Sequence, residues 1–491
     1  MSGKVYLIGA GIGTEELLTI KAMKIIQECD VILYDKLIDK NILNYTKHDC
    51  IKIFCGKENK RHYMSQDEIN YKLVEYAKNG MTVCRLKGGD PYIYGRGSEE
   101  AIFLSNNNIE FEVIPGISSI YAALNFCGIP ITHRGVSNSI HVFTASSLED
   151  DLDFQIISKL EGTIIFLMAR EKIPFLIEQL LNNKTKQQLA AIISSAGTSK
   201  QKCIVDTLVN LSGRDFDISS KEPTMFVLSD TIGFRKLLNW YENKILFGKK
   251  VVLCCPKGHN IWLKQQLQNM GAEVVEINSM YYQDKSENVQ SVIDRLASYN
   301  YIVFTSKVGV DSFFEFLKKN NIDIRNIKAQ YVAIGEKTAN KLKSFCINEI
   351  IIPNEYTSKE LFLTLKEKLT NKDKILLIRS ENADNILTEN IKEITPFVDD
   401  IRPYKFIQQN NIVFDINDIK DAHIYVFTSS AFFDSFINIY DIIDILKYRT
   451  VIAIGPATKE RIEKYGIYAI LSSVYSQEGI LEKILEVTKN V

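Results

Sequence analysis

The chain has no excess of charge of either sign, since its 59 lysines and arginines nearly balance its 60 aspartates and glutamates. The formal net charge of -1 gives no overall attraction to nucleic acid or to an anionic membrane, so neither is an expected partner. No uninterrupted apolar run reaches the ~18 residues that a membrane-spanning helix needs. The opening stretch MSGKVYLIGAG reads as a strand and lacks the layout of a signal peptide, which favours a cytoplasmic protein.

Patterns typical of metal sites and disulfide frameworks are absent as well. The nine cysteines are odd in number, scattered, and form no CxxC pair, which fits a reducing compartment better than a disulfide framework or a zinc ribbon. No group of His, Cys or carboxylate residues has the spacing of a ligand set, so no metal is expected. His133 and His141 stand alone, which favours packing or hydrogen-bonding roles.

The first half of the chain alternates apolar, strand-like segments with amphipathic helical segments, which predicts an α/β fold. The stretch from 85 to 100, RLKGGDPYIYGRGSEE, follows such a strand, and its paired glycines allow the backbone to approach a ligand closely. An ordinary turn between a strand and a helix is the competing interpretation. Ligands of open α/β sheets bind beyond the carboxyl ends of the strands, where Asp35, Lys57 and the turn 115–119 are also expected.

The second half of the chain contains an internal duplication. Four segments recur in the same order, 119 to 124 residues later. Each copy alternates strands with helices, so we expect two similar α/β lobes rather than a solenoid, whose period is shorter. The paired segments are 251–256 with 375–380, 302–306 with 425–429, 332–338 with 452–458, and 356–361 with 475–480.

These motifs carry a resemblance that covers nearly the whole chain. The first ~240 residues resemble the tetrapyrrole methylases, and within them the uroporphyrinogen-III C-methyltransferases. The matching pieces are VYLIGAGIG, LLTIKAMKIIQECDVILYD, RLKGGDPYIYGRGSEE, VIPGISSIYAA and GIPITHRG. The second half is similar to uroporphyrinogen-III synthase through IVFTSKVGVDSFFEFL, AIGEKTANKL, VFTSSAFFDSF and AIGPATKERI.

The methylase resemblance implies that S-adenosylmethionine (SAM) binds between two α/β subdomains and leaves as S-adenosylhomocysteine. It also implies that Asp35 is the proton acceptor and Lys57 the proton donor. Arg85, Arg96 and Arg134 would bind the carboxylate arms of the substrate. Taken alone, Asp35 could end a strand, Lys57 and Arg134 could be solvated, and Met168 could be core. The implied cofactor contacts are Ile12, Gly88, Gly89, Asp90, Ile93, Ser118, Ser119, Met168 and Gly197.

The chain departs from the methylase pattern at three places. Family members usually read GAGPGD where this chain has residues 9–14, GAGIGT, so a proline and a carboxylate are missing. Residues 143–146, FTAS, stand where VTGH is common, and Ala169 replaces the glycine that usually follows the methionine. Because Gly9, Gly11 and Gly13 are kept, we expect the loop to keep its shape and the departures to affect cofactor affinity.

The synthase resemblance implies that hydroxymethylbilane is cyclised to uroporphyrinogen III, a reaction in which holding one geometry matters more than strong acids or bases. Backbone N–H groups and hydroxyls at strand ends are therefore the expected contacts, with helix capping as the competing interpretation. The usual Thr-Arg after the first synthase strand is absent, since Cys254-Cys255-Pro256-Lys257 stands there. The candidate contacts are Thr305, Ser306, Thr338, Tyr404, Thr428, Ser429, Ser430 and Thr458.

Together the resemblances imply a methyltransferase at 1–244 and a two-lobed synthase at 248–491, with crossovers between lobes near 284 and 402. The implied product is precorrin-2, for sirohaem or cobalamin, made from small tetrapyrrole substrates. A homodimer through the methylase half is compatible with the resemblance. The alternatives are a methylase of another corrin intermediate, and a second half that is a two-lobed binding module; no NAD fingerprint supports a dehydrogenase.

Overall fold

A computed structural model describes residues 3–56, 64–146, 152–182, 187–216, 222–258, 260–409 and 412–489. The described residues form four sheets, two in each half of the chain, and helices cover them. The α/β class expected from the alternation of strands and helices is confirmed. Within the described residues, no helix is long and apolar enough to cross a membrane.

The first sheet is parallel throughout, in the order β3-β2-β4-β1-β5. Its central strands are buried because helices lie on both faces. Its strands are β1 (Val5–Gly9), β2 (Val31–Tyr34), β3 (Ile51–Phe54), β4 (Val83–Lys87) and β5 (Phe111–Ile114). The helices are α1 (Ile20–Glu28), α2 (Gln66–Lys78), α3 (Gly97–Asn106) and α4 (Ser119–Phe126), with 3₁₀ turns at Glu15–Leu17 and Lys40–Tyr45.

The second sheet is mixed, in the order β6-β7-β10-β8-β9, and only β6 and β7 are parallel among its described pairs. Its strands are β6 (Ile140–Thr144), β7 (Thr163–Leu167), β8 (Leu189–Ser194), β9 (Lys202–Thr207) and β10 (Thr224–Leu228). The helices are α5 (Phe154–Ile157), α6 (Ile173–Leu181), α7 (Leu208–Ser212) and α8 (Arg235–Leu238), with 3₁₀ turns at Arg170–Lys172 and Asp230–Phe234.

The second half of the chain contains eleven strands in its described part. They are β11 (Lys250–Cys254), β12 (Glu273–Ile277), β13 (Met280–Asp284), β14 (Tyr301–Phe304), β15 (Gln330–Ala333), β16 (Ile350–Ile351), β17 (Ile375–Ser380), β18 (Val398–Gln408), β19 (Ile424–Phe427), β20 (Thr450–Ala453) and β21 (Ala469–Leu471). The helices are α9 (Ile261–Asn269), α10 (Lys307–Lys319), α11 (Glu336–Lys343), α12 (Ser358–Lys366), α13 (Ile386–Lys392), α14 (Ile416–Ile419), α15 (Ser430–Ile439), α16 (Ile443–Leu446), α17 (Pro456–Glu463) and α18 (Gln477–Lys489), with 3₁₀ segments Ser286–Ser298 and Ile324–Asn326.

The two copies of the duplication exchange strands. The third sheet has the order β12-β11-β19-β20-β21, and the fourth has the order β13-β18-β17-β14-β15-β16. Each sheet therefore combines the first two strands of one copy with the last three of the other. The connecting strands β13 and β18 pair antiparallel, with Asp284 opposite Tyr404.

The halves of the chain meet at an edge strand. Asn41, from the 3₁₀ turn of the first half, donates its Nδ2 to the Val274 carbonyl at 2.6 Å and accepts from the Glu276 amide at 2.9 Å. Asn44 donates to the Glu276 carbonyl at 3.0 Å. The two asparagines thus satisfy backbone groups of β12 that an exposed sheet edge leaves open to another strand.

Candidate functional site

Three turns of the first sheet contact one another through backbone alone. Gly11 and Gly89 exchange hydrogen bonds, with N···O distances of 3.2 and 2.9 Å. A Cβ on Gly116 would lie 2.1 Å from the Gly89 carbonyl oxygen, and one on Gly9 would lie 2.5 Å from the Gly116 Cα. Such distances exclude any side chain at Gly9 and Gly116, so the sequence needs glycine there.

Asp90 holds this arrangement together. Its Oδ2 accepts from the Gly116 amide at 3.0 Å, and its Oδ1 accepts from the Tyr92 amide at 2.9 Å. Gly89 has a φ of +66°, and a Cβ there would point toward the Ser119 amide at 3.7 Å. The first turn of α4 therefore faces open space beside Gly89, where its N–H groups suit an anionic or polar ligand.

A cavity of about 790 Å³ lies above these turns, between the first two sheets. This volume is within the range of small-molecule sites, and apolar side chains form much of the wall. All the residues expected to contact a cofactor line it, and so does Asp35. They are Ile12, Gly88, Gly89, Asp90, Ile93, Ser118, Ser119, Met168 and Gly197.

Several lining residues were missed from the sequence. The missed residues Tyr94 and Ser195 have φ values of 51° and 48°, and the predicted Met168 has a φ of 54°. Residues other than glycine rarely adopt this region. Strained backbone of this kind is common where a loop must present a ligand site. A run of small residues after a buried strand, SSAGTS, was the available signal for the loop after β8. The missed lining residues include Thr14, Tyr94, Ser195, Ala196, Thr198 and Met225.

The second half of the chain also contributes to this cavity, which the sequence did not predict. Lys250, Glu273 and Phe414 are among the residues of that half that line it. Gln268, another of them, donates to the Glu15 carboxylate at 3.1 Å, directly after the loop 9–14. The loop 9–14 is thus supported from the opposite half of the chain.

Asp35 is anchored by a buried network of charges. Arg85 Nη2 donates to Asp35 Oδ1 at 2.6 Å, and Arg85 Nε donates to Glu100 Oε1 at 3.0 Å. Lys87 Nζ donates to the same Glu100 oxygen at 2.9 Å. The side chain of Asp35 is 32% exposed, whereas those of Arg85 and Glu100 are 2% and 0% exposed. Asp35 is therefore the member of the network that reaches the cavity.

The pKa values of the two cations of this network shift in opposite directions. Burial alone lowers the pKa of Arg85, but the carboxylates of Glu100 and Asp35 outweigh it and raise the pKa above its usual range. Burial lowers the pKa of Lys87, and the Arg85 guanidinium lowers it further. Arg85 is therefore the fixed positive charge against which Asp35 is held.

The hydroxyl candidates of the second half lie at strand ends or in the first turn of the helix that follows, except Tyr404, which lies within β18. Ser306 accepts from the Gly309 amide at 3.0 Å, and Ser429 accepts from the Phe432 amide at 3.3 Å, so both cap helices. The buried Tyr404 hydrogen-bonds through its hydroxyl to Ser306 at 2.6 Å. Thr338 and Thr458 are buried. The hydroxyls of Thr428 and Ser430 donate to the Cys254 and Ala457 carbonyls. The backbone amide of Thr305 donates to the Ile378 carbonyl.

Comparison with known proteins identifies the families. The model of the tetrapyrrole (corrin/porphyrin) methylases matches residues 4–212, and that of uroporphyrinogen-III synthase HemD matches residues 262–482. A porphyrin biosynthesis protein HemD of Ruminiclostridium josui is 31% identical over 99% of this chain and 98% of its own length. The chain belongs to both families. It is a tetrapyrrole methyltransferase fused to a uroporphyrinogen-III synthase, an enzyme of tetrapyrrole biosynthesis.

Two further relatives match the methylase half. A uroporphyrinogen-III C-methyltransferase of Methanocaldococcus jannaschii is 43% identical over 47% of this chain and 98% of its own length. A crystal structure of the uroporphyrin-III C-methyltransferase of Thermus thermophilus is 32% identical, covers 48% of this chain and 97% of its own, and has a TM-score of 0.42.

The departures from the methylase pattern leave the backbone of the cavity in place. Gly11 and Gly13 have φ values of +70° and +79°, and a Cβ on Gly13 would lie 3.1 Å from the Gly197 carbonyl oxygen across the cleft. Position 169 does not require glycine, because Ala169 has a φ of -82°. The left-handed conformation is adopted by Met168 before it. Loss of the usual glycine after the methionine thus has a local explanation.

The predicted substrate arginines are not brought together. Arg85 is buried against Glu100 and Asp35 and does not line the cavity. Arg96 is exposed and pairs with Glu99 at 2.7 Å, and Arg134 is exposed. Neither Arg96 nor Arg134 lines the cavity.

Lys57 lies outside the described residues. Among the described residues, no group of three or more His, Cys, Asp or Glu could hold a metal ion.

Proposed function

We propose that the methylase half transfers two methyl groups from SAM to uroporphyrinogen III to give precorrin-2, on the route to sirohaem or cobalamin. The synthase half supplies the uroporphyrinogen III by cyclising hydroxymethylbilane. The observation that carries the proposal is the single cavity in which every residue expected to contact a cofactor meets Asp35. Incubation with hydroxymethylbilane and SAM, followed by product analysis, tests it: precorrin-2 is expected, and uroporphyrinogen III left unmethylated would contradict it.

The cavity fits the cofactor in size and chemistry. Ile12, Ile93 and Met168 give apolar walls for an adenine, while the open first turn of α4 and the hydroxyls of Ser118 and Ser119 suit polar groups. Bound SAM supplies an electrophilic methyl group on a sulfonium sulfur. The glycines let backbone amides approach the ligand without intervening side chains.

We propose Asp35 as the proton acceptor. A pyrrole carbon that takes up a methyl group becomes cationic and must then lose a proton, which requires a base at the cavity. Arg85 fixes the orientation of the Asp35 carboxylate through the 2.6 Å hydrogen bond. We therefore assign Arg85 a positioning role, while Arg96 and Arg134 remain proposed contacts of the substrate and Lys57 remains the proposed proton donor.

The synthase half is proposed to work by positioning its substrate between the lobes. The hydroxyls at the ends of β14, β15, β19 and β20 and the helix starts beside them offer N–H and O–H donors to carboxylate arms. Capping by Ser306 and Ser429 uses their oxygens as acceptors and leaves the hydroxyl hydrogens to donate, and Ser306 is already linked to Tyr404. No strong acid or base is required, because ring closure proceeds once one geometry is held.

Substitution of Gly89 tests the cofactor site. We expect Gly89→Asp to lower SAM affinity by roughly tenfold or more, because the new side chain would strain a φ of +66° and enter the cavity beside the Ser119 amide. Gly213→Asp is the matched control, since Gly213 lies outside the cavity, has no positive φ, and a Cβ there would meet no atom within 4 Å. Calorimetric titration with SAM measures both. If Gly89→Asp bound SAM with wild-type affinity, this turn would not be part of the cofactor site.

Separation of the halves tests the domain boundary. Among the described residues no strand pair joins β1–β10 to β11–β21, so fragments 1–244 and 248–491 each keep complete sheets. We expect both to be soluble, with methyltransferase and synthase activity respectively, and to associate on mixing because Asn41 and Asn44 cover the edge of β12. The intact chain is the control. A fragment that is insoluble alone but recovers on co-expression would show a shared core.

A further inference from the structure

A second cavity, of about 780 Å³, lies where the methylase half meets both synthase lobes; we call it the junction cavity. The methylase half contributes Lys47, His48 and Lys52, which lie before and on β3. The synthase half contributes Lys257, after β11, and Lys307, at the start of α10. Within the described residues, none of the expected cofactor contacts or synthase hydroxyls lines this cavity, so it is a separate feature of the molecule.

The lysines of the junction cavity are not neutralised equally. Lys47 pairs with Asp30 at 3.0 Å, and Lys341 pairs with Asp311 at 2.6 Å. The other three lysines, Lys52, Lys257 and Lys307, form no ion pair with a carboxylate of the described residues. Lys257 donates instead to the Thr46 carbonyl at 3.0 Å, which brings its ammonium to the methylase side of the cavity. The carboxylates in the lining are Asp284, Asp311 and Glu315.

Two of these cations, Lys52 and Lys257, line the same cavity without a carboxylate partner among the described residues. Burial lowers the pKa of Lys52, and burial together with the neighbouring Lys52 ammonium lowers the pKa of Lys257. Glu276, the carboxylate that acts on Lys257, already pairs with Lys264 at 3.3 Å. Like charges held together oppose each other, and an anion placed between them relieves that repulsion.

The remaining wall is aromatic and apolar. Tyr281 packs against His48 with ring centroids 4.2 Å apart, and Phe406 and Phe414 lie on the same lining. Phe414 also lines the cavity that holds Asp35, so the two cavities share a wall. A ligand that combines a large apolar ring with several carboxylates matches both kinds of surface.

We propose that the junction cavity binds a polycarboxylate tetrapyrrole and holds uroporphyrinogen III between its release from the synthase half and its methylation. The proposal rests on the function proposed above and adds a third site for the same compound, built by both halves. Its lysines act as carboxylate partners, and Lys52 and Lys257 bind one arm between them.

Chemical labelling of lysines detects occupancy of this site directly. The intact chain is acetylated with and without uroporphyrin III, the stable oxidised octacarboxylate, and labelling of each lysine is followed by mass spectrometry. We expect saturable protection of Lys52 and Lys257, with no change at the exposed Lys392 on α13. A dicarboxylate porphyrin is expected to need at least about tenfold higher concentration, because fewer arms can pair. Unchanged labelling of Lys52 and Lys257 at porphyrin concentrations that inhibit methyl transfer would overturn the proposal.

A double variant, Lys52→Met with Lys257→Met, tests the role in transfer, and Lys392→Met is its control. Methyl transfer to supplied uroporphyrinogen III and synthase activity alone should stay within about twofold of wild type, whereas methylated product from hydroxymethylbilane should fall at least about fivefold. Equal coupled output in variant and wild type would contradict a holding site. If the wild type did not methylate supplied uroporphyrinogen III, the proposed function itself would be contradicted.

Discussion

Asp35→Asn should lower the turnover of methyl transfer by roughly 100-fold or more, while SAM affinity stays within a few fold. The introduced amide would keep the size of the side chain and could still meet Arg85, but it would lack the basic oxygen that takes up the proton. Asp35 is partly exposed and lines the cavity, whereas Arg85 is buried, which is why we propose Asp35 as the base. Steady-state turnover with uroporphyrinogen III and calorimetric titration with SAM measure the two quantities.

Asp49→Asn is the matched control, because Asp49 is exposed and does not line the cavity. It should change neither quantity. Turnover of Asp35→Asn within about threefold of wild type would reduce Asp35 to a structural partner of Arg85. A parallel loss of SAM affinity would point to collapse of the turn rather than to loss of a base.

Lys264→Met should destabilise the folded chain by about 3–5 kcal/mol, the usual cost of leaving a buried charge without its partner. Lys264 of α9 forms a buried ion pair with Glu15, whose side chain is 4% exposed, and Asp39 accepts from the Glu15 amide at 3.0 Å. Burial alone raises the pKa of Glu15, but the Lys264 ammonium and hydrogen bonds outweigh it and hold the pKa below its usual value. Urea unfolding followed by circular dichroism measures the change.

The sign of the pH dependence follows from that lowered pKa. In the wild type the Glu15 contribution is present above the usual glutamate pKa of 4.5 and is lost as the pH falls through the lower folded value. The variant should lack this contribution at neutral pH, so its deficit should shrink on acidification. Glu15→Gln combined with Lys264→Met should restore much of the stability, and a double variant as unstable as Lys264→Met alone would contradict the pairing.

Features that depend on local sequence were predictable. The strands β1, β2, β4 and β5 have apolar runs of the kind that buried parallel strands require. The Gly88-Gly89-Asp90 turn follows β4 and meets the loop after β1, because parallel neighbours deliver their ends to the same edge of a sheet. That shared edge explains why the expected cofactor residues gather in one cavity.

Features that depend on tertiary packing were not predictable. Arg85 was expected to bind substrate carboxylates, yet the sheet buries it against Glu100. The polar strand β18 owes part of its pairing to β13, which is distant in sequence, as strand propensity depends on packing context. The wall that the synthase half gives to the cavity has no sequence signal, since Gln268 contacts Glu15 across a domain interface.

The strand exchange between the duplicated units constrains how the synthase half can have arisen. One unit alone leaves β11 and β12 without β19 beside them, and β14 without β17, so a single copy has no complete sheet of its own. Two identical single-copy chains satisfy every strand by swapping their first strands, which makes a domain-swapped homodimer the simplest ancestor. Covalent linkage of the two copies makes their association intramolecular and independent of concentration.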